Sequence, residues 1–198
     1  MRKHVVGLIS DTHGLVRPEI ARVFEGVSRI LHAGDVGGGA VLRALEAIAP
    51  VDAVFGNVDD VHDPALARER VVTIDGVAIH VSHGHELGGP TPELVLSRYS
   101  GDIVMFGHTH RAVVFSYCAW GPTPTHEDAH APAAGARRRS SRTHEYKKRL
   151  AVNPGAAGPR RFDIQPSVAL LTIDRGTPSI EIISLTKCFS SSRASRSS

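Results

Sequence analysis

The chain has few cysteines, few aromatic residues and no long hydrophobic run. Its two cysteines, Cys118 and Cys188, lie far apart in the sequence, so they do not form the disulfide framework of small secreted proteins. The apolar run at residues 5–9 is too short for a signal-peptide core, and no run approaches the roughly 18 residues of a membrane span. We therefore expect a cytoplasmic protein without a membrane partner, and a core built mainly from Val, Ile, Leu and Ala.

An excess of basic residues is also missing from most of the chain, although the net charge is +3. Residues 118–149 carry seven Lys or Arg and three Asp or Glu, and the segment from residue 186 adds three basic residues. The remaining body is therefore mildly acidic. This distribution argues against nucleic acid as a partner, because the basic side chains belong to two segments without apolar periodicity.

Apolar runs and amphipathic stretches alternate along the first half of the chain, and strands dominate the second half. This order predicts an α/β fold with either one mixed sheet or two packed sheets. We expect a single domain over residues 1–185. Within it, residues 118–148 are rich in Pro, Ala, Gly and Arg and are predicted to be a disordered insertion; residues 186–198 are predicted to be a disordered Ser/Arg tail.

Polar side chains follow five of the predicted strands, at the point where each apolar run ends. They are listed here in chain order: Asp11 and His13, Asp35, Asn57, His83, and His108 with His110. Most of them stand beside a glycine, as in Gly107-His108-Thr109-His110. Open α/β sheets bind ligands at such strand ends, so we expect these side chains to meet at one edge.

Carboxylates, imidazoles and one amide, without a thiolate, are the ligands of a transition metal ion rather than of a structural zinc or a calcium site. Seven ligands are too many for one ion and fit two ions that share a carboxylate. Mn²⁺ is the first expectation, with Ni²⁺, Fe²⁺, Zn²⁺ and Co²⁺ as alternatives.

The ordered motifs of Asp11-x-His13, Gly34-Asp35, Gly56-Asn57-x-Asp59, His83-Gly84 and Gly107-His108-Thr109-His110 resemble the calcineurin-like metallophosphoesterase superfamily, in particular its small bacterial and archaeal phosphodiesterase branch. The resemblance implies a four-layer α-β-β-α sandwich with two mixed sheets. It also implies that Asp11, His13, Asp35 and His110 hold one ion and that Asp35, Asn57, His83 and His108 hold the other.

The same resemblance implies hydrolysis of a phosphoester by in-line attack of a hydroxide that bridges the ions. Many relatives carry a histidine after the motif asparagine, which helps to protonate the leaving group; this chain has Val58 there. Loss of general acid help, worth typically about 10²–10⁴-fold, favours phosphodiesters or activated leaving groups. The resemblance therefore favours a metal-dependent phosphodiesterase.

Other residues are assigned by their position beside these motifs. Asp35, Asn57 and His85 are the predicted catalytic residues, and His85, Asp59 and Arg111 are candidate substrate contacts. Asp59 is also a candidate for fixing its own loop, and Arg111 for a solvated strand residue. Asn153 is a candidate support of the site.

Two alternative functions remain at this point. One is a non-catalytic protein-interaction scaffold on the same fold, and the other is a nucleotide or dinucleoside polyphosphate hydrolase. The expected partner is a small phosphodiester or nucleotide substrate, and self-association is left open.

Overall fold

The structure is a computed structural model that describes residues 3–121, 145–160 and 163–186. In chain order the described strands and α-helices are β1 (His4–Ile9), α1 (Pro18–Val23), β2 (Arg29–Ala33), α2 (Gly39–Glu46), β3 (Val51–Val54), β4 (Leu66–Ala67), β5 (Glu69–Ile74), β6 (Val77–Ser82), α3 (Pro92–Arg98), β7 (Ile103–Met105), β8 (Val113–Gly121), β9 (Glu145–Asn153), β10 (Ser167–Asp174) and β11 (Thr177–Ser184). A short 3₁₀ helix covers His85–Leu87.

Two mixed sheets form the body of the molecule. The first has the strand order β11-β10-β1-β2-β3-β4, and the second has the order β5-β6-β7-β9-β8. Strands β1 to β4 run parallel to one another, while β10 is antiparallel to β1. In the second sheet β6, β7 and β9 are parallel, and the outer strands are antiparallel to their neighbours.

Three hydrophobic clusters divide the molecule into layers. One cluster lies between the two sheets and includes Leu8, Leu31, Ile79 and Met105. A second joins α1 and α2 to the outer face of the first sheet, and a third joins α3 to the outer face of the second sheet. The order is therefore helix, sheet, sheet, helix, which confirms the predicted four-layer sandwich with two mixed sheets.

The sequence explains why both faces of the central strands are buried. In β1 and β2, successive side chains enter alternate clusters: Leu8 and Leu31 face the other sheet, whereas Ile9 and Ile30 face the helices. Strands covered on both faces have continuous apolar runs instead of polar alternation. None of the helices in the described parts of the chain is long and apolar enough to cross a membrane.

The predicted boundaries of the insertion at residues 118–148 differ from the structure. Cys118 pairs with Lys148, and the antiparallel ladder continues to the pair of Gly121 and Glu145. Backbone hydrogen bonds extend a hairpin without requiring apolar side chains, so the composition of these ends gave no sign of a strand. Residues 122–144 of the predicted insertion and residues 187–198 of the predicted tail lie outside the described residues.

Candidate metal centre

The seven predicted metal ligands meet at one edge of the sandwich. They follow the carboxyl ends of β1, β2 and β3 in the first sheet and of β6 and β7 in the second. Because each group of strands is parallel, its carboxyl ends lie on the same side, and the packing of the two sheets brings both sides together. The site is therefore built from five loops and from both sheets.

The first set of donors is formed by Asp11, His13, Asp35 and His110, whose ligand atoms all lie within 4.8 Å of one another. His13 Nε2 lies 3.4 Å from His110 Nε2 and 3.8 Å from Asp35 Oδ2. His110 Nε2 lies 3.1 Å from Asp11 Oδ1. Four donor atoms thus point at one small volume.

The electrostatics of this volume fit a cation. Asp11 is fully buried and its Oδ2 accepts a 2.6 Å hydrogen bond from Ser10 Oγ. Its Oδ1 is buried and has no hydrogen-bond partner within the described residues, although His110 Nε2 lies 3.1 Å away. A buried carboxylate oxygen without a donor is costly, and a bound cation would satisfy it.

The second set of donors lies on the other side of Asp35. Asp35 Oδ1 is 3.4 Å from His83 Nε2, and Asn57 Oδ1 is 3.2 Å from the same nitrogen. Asn57 Oδ1 is also 3.0 Å from His108 Nδ1. The two carboxylate oxygens of Asp35 therefore face different sets of donors.

A hydrogen bond to the backbone fixes the orientation of the His83 ring. Its Nδ1 donates a 2.7 Å hydrogen bond to the carbonyl oxygen of Ala33, which leaves Nε2 turned toward Asp35 and Asn57. A backbone carbonyl that holds one ring nitrogen is the usual device for presenting the other nitrogen to a metal.

The pKa values of Asp35 and His83 respond to each other. Burial opposes ionisation of Asp35, but the hydrogen bond and charge of His83, together with the Val58 backbone N–H, lower its pKa to about 2. Burial likewise opposes a charge on His83, and Asp35 and Asp11 outweigh it and raise its pKa. Asp35 is therefore a carboxylate at neutral pH, as a metal ligand must be.

The backbone of the site is held in an uncommon conformation. Seven non-glycine residues in the described chain have positive φ, and five of them are predicted ligands: Asp11, His13, Asp35, His108 and His110, with φ from 45° to 67°. Left-handed backbone is unfavourable for residues with a side chain and is retained mainly where function requires it. No pattern in the sequence indicated this feature.

The glycines beside the ligands are required by close packing. A Cβ atom on Gly56 would lie 2.0 Å from Asp35 Oδ1, and one on Gly107 would lie 2.1 Å from Ser10 Oγ. On Gly34 it would lie 2.7 Å from His83 Nδ1. Each of these glycines thus leaves room for a side chain from a different loop, namely Asp35, Ser10 or His83.

The remaining predicted site residues occupy different positions around the centre. The carboxylate of Asp59 accepts hydrogen bonds from the backbone N–H groups of Val36, Gly37 and Gly56, so it joins two ligand loops. The His85 ring is partly exposed, with its centroid 5.4 Å from that of His83, and burial and the charge of His83 lower its pKa. Arg111 is exposed and follows His110 directly.

A buried pair behind the site was not singled out from the sequence as a unit. Thr12 Oγ1 lies 2.9 Å from His32 Nε2 and donates to the Val36 carbonyl oxygen. In the sequence, the sign of this pair was the position of Thr12 between the predicted ligands Asp11 and His13. The pair fixes the first ligand loop against the second.

Comparisons with known proteins identify the family. Residues 5–176 match the calcineurin-like phosphoesterase superfamily domain. A probable metallophosphoesterase of Methanothermobacter thermautotrophicus is 31% identical over 191 residues, covering 90% of this chain and 91% of that protein.

Two solved structures share the fold. Vps29 of Chaetomium thermophilum has a TM-score of 0.63 at 19% identity, covering 91% of this chain and 96% of its own. A predicted phosphoesterase of Streptococcus pneumoniae has a TM-score of 0.59 at 17% identity, covering 94% and 92%. With the match over residues 5–176, these results confirm the resemblance found in the sequence. The chain belongs to the calcineurin-like phosphoesterase superfamily.

Proposed function

We propose that this chain is a dinuclear metal-dependent phosphodiesterase. The observation that carries the proposal is the position of Asp35, whose Oδ2 faces His13 at 3.8 Å and whose Oδ1 faces His83 at 3.4 Å. One carboxylate between two sets of donors is the arrangement expected for two ions that share a ligand.

Each ion has its own proposed ligands. Asp11, His13, Asp35 and His110 would hold the first ion, and Asp35, Asn57, His83 and His108 would hold the second. We propose Mn²⁺ as the bound ion, because it binds imidazole, carboxylate and amide donors. Fe²⁺, Zn²⁺, Co²⁺ and Ni²⁺ are alternatives that bind the same donor types. Asn57 contributes an oxygen without a charge and so preserves the attraction for an anionic phosphoester.

When bound, the two ions would supply a hydroxide nucleophile near neutral pH and offset the charge that develops on the phosphoryl oxygens. The chain itself fixes the geometry: Asp59 holds the loops of Asp35 and Asn57 together. The His85 ring lies 5.4 Å from the ring of His83 and 6.5 Å from that of His108, and we assign it a contact with the substrate phosphate. Arg111 is assigned a weaker contact from the His110 loop.

The preference for diesters rests on Val58. This side chain follows Asn57 in the sequence and is 55% exposed, and it cannot transfer a proton. A poor leaving group such as the alkoxide of a monoester gains most from general acid help. A diester with a better leaving group depends on it less.

The alternative of a protein-interaction scaffold is supported by the fold shared with Vps29. A likeness at 19% identity carries the fold and not the activity. The donor set around Asp35 favours the enzyme, because imidazole, carboxylate and amide donors on both sides of one carboxylate suit two metal ions. A nucleotide or dinucleoside polyphosphate hydrolase would use the same centre and differs only in its substrate.

The test is metal-dependent hydrolysis of bis(4-nitrophenyl) phosphate and 4-nitrophenyl phosphate by the full chain, with metal content measured in parallel. We expect two Mn²⁺ per chain, faster turnover of the diester, and a loss of at least about 100-fold for Asp35→Asn and His108→Ala. His62→Ala is the matched control, because His62 is an exposed histidine that is not among the proposed ligands. Metal binding without hydrolysis would favour the scaffold, and faster turnover of the monoester would contradict the diester preference.

A further inference from the structure

A cavity of about 230 Å³ lies beside the proposed metal centre, between the loops that follow β2 and β3. One wall is apolar and includes Leu42, Val58 and Leu66, while Asp60 and Asp63 contribute carboxylates. None of the proposed metal ligands lines this cavity. It is therefore a separate space that none of the functions considered above has used.

The cavity and the proposed centre share the same backbone. Val58, which lines the cavity, follows the proposed ligand Asn57, and its N–H donates a 3.1 Å hydrogen bond to Asp35 Oδ1. Asp59 also lines the cavity and binds the N–H groups of Val36 and Gly37 on the opposite loop. The cavity therefore adjoins the two loops that carry the proposed ligands Asp35 and Asn57.

The charged side chains that line the cavity are all acidic. Asp60 and Asp63 each use one oxygen in a local turn, accepting from the N–H groups of His62 and Ala65. No Lys, Arg or His belongs to the lining that the described residues form. An anionic group would be repelled here, whereas a positively charged group would be attracted to the carboxylates and would rest its carbon atoms on Val58 and Leu42.

The size of the cavity limits the group further. Pockets for drug-sized ligands are typically about 300–1,000 Å³, so about 230 Å³ accommodates a small group. A nucleoside lacks the positive charge that the carboxylates favour, and a polyphosphate chain carries the opposite charge.

We propose that this cavity is a specificity site that receives a small, positively charged alcohol group of the substrate, such as an amino alcohol joined to the phosphate. This proposal rests on the proposed function and gives its substrate class. Val58, Asp60 and Asp63 are the specificity-determining residues, and none of them acts on the phosphorus.

The test uses monoesters that each carry a single alcohol group, as inhibitors of bis(4-nitrophenyl) phosphate hydrolysis by the Mn²⁺-loaded full chain. Phosphorylcholine carries the positive charge, 3,3-dimethylbutyl phosphate is its neutral isostere, and 3-carboxypropyl phosphate is anionic. We expect phosphorylcholine to bind about five- to tenfold more tightly than the neutral isostere, as two partly exposed carboxylates allow, and the anionic ester to bind most weakly.

The variant Asp60→Asn/Asp63→Asn keeps both side-chain oxygens that accept the turn hydrogen bonds. It should reduce the preference for phosphorylcholine to less than about twofold while the inhibition by the neutral isostere stays the same. Glu46→Gln is the matched control, because Glu46 is an exposed carboxylate at the opposite end of α2. It should retain the wild-type preference.

Equal binding of phosphorylcholine and its neutral isostere to the wild-type chain would overturn the proposal, and this comparison does not depend on a variant that folds. A preference that survives in the double variant would overturn it as well. If the wild-type chain hydrolyses no diester, the proposed function fails, and calorimetric titration with the same two monoesters still decides whether the cavity selects a cation.

Discussion

Asn153 is a fully buried side chain that fixes the loop carrying His108 and His110. Its Nδ2 donates to the Gly107 carbonyl oxygen at 2.8 Å and lies 3.0 Å from Thr109 Oγ1, and its Oδ1 accepts from the Gly155 N–H at 2.9 Å. None of these hydrogen bonds goes to a predicted ligand side chain, so Asn153 acts by positioning the backbone from which two of the ligands project.

Replacing Asn153 with alanine should therefore weaken metal binding and stability together. The Gly107 carbonyl would lose its donor, which costs about 1–3 kcal/mol of unfolding free energy, and metal affinity should fall about 10- to 100-fold. Chemical denaturation and metal titration measure the two effects. Ser167→Ala is the control: it removes the hydrogen bond to the Pro154 carbonyl in the same turn and should leave metal affinity unchanged. Unaltered metal affinity in Asn153→Ala would show that the loop keeps its conformation without this side chain.

His32 should make the metal-free protein sensitive to acid. The side chain is fully buried, and burial lowers its pKa from 6.5 to about 4 despite the opposing charge of Asp11. Between these values the unfolded chain holds a proton at this residue that the folded chain does not, so stability decreases as the pH falls. At about 1.4 kcal/mol per pKa unit, the loss attributable to His32 from pH 7 to pH 4 is roughly 3 kcal/mol.

Unfolding free energies of wild type and His32→Gln, measured in denaturant across this pH range without metal, check the effect of His32. The variant should show the shallower dependence on pH, since glutamine keeps a donor for Thr12 and does not titrate. His62→Gln, at an exposed position, should follow the wild type. Parallel curves for wild type and His32→Gln would contradict the assignment.

At the scale of elements, the hairpin of β8 and β9 sets the distance between the proposed metal centre and Gly121 and Glu145, the two residues that flank residues 122–144. Its strands are nine residues long and pair from Val113 with Asn153 to Gly121 with Glu145. At about 3.3 Å per residue, the far end is roughly 25 Å from the site. We propose that residues 122–144 are a dispensable insertion within one domain.

Replacing residues 122–144 with Asn-Gly tests this proposal. Gly121 and Glu145 are paired, so a two-residue turn can close the hairpin, and we expect turnover of a small diester within about threefold of wild type, because a shorter closed loop changes mainly the entropy of the unfolded chain. A loss beyond tenfold, with unchanged circular dichroism and melting temperature, would show that these residues act in the reaction.

At the scale of the whole molecule, the proposed centre connects the two sheets. Asp11, His13, Asp35 and Asn57 come from the first sheet, and His83, His108 and His110 come from the second. The unfolded chain does not present these donors together, so metal binding should stabilise the folded state as a whole.

Removal of metal should therefore lower the melting temperature. At a metal concentration about 100 times the dissociation constant, each site adds about 2.7 kcal/mol, which corresponds to roughly 5–10 °C for a protein of this size. Thermal melts with Mn²⁺ and with chelator give the difference. Asp35→Asn should lose most of it and His62→Ala none. Equal melting temperatures with and without metal would contradict a centre shared by both sheets.

The sequence by itself determined which strands are buried on both faces and indicated the candidate donors, whereas the four-layer arrangement was implied by the family resemblance. Apolar runs such as those around Leu8 and Leu31 indicate strands buried on two faces, because burial selects side chains by local chemistry. The candidate donors were visible from residue type and position: His108 and His110 follow an apolar run and stand beside Gly107. Residue type and spacing are local properties, so they can be read from a single sequence.

Only the tertiary structure decided how the donors are arranged. Asp35 and His83 are distant in sequence, and the packing of the sheets sets the 3.4 Å between them. The left-handed backbone of Asp11 and His13 and the cavity beside Val58 likewise depend on several loops at once. The length of the hairpin up to Gly121 was also hidden, because its ladder is made by backbone hydrogen bonds that any residue except proline can form. Long-range geometry is a property of the packed loops and sheets, and no single stretch of this chain encodes it.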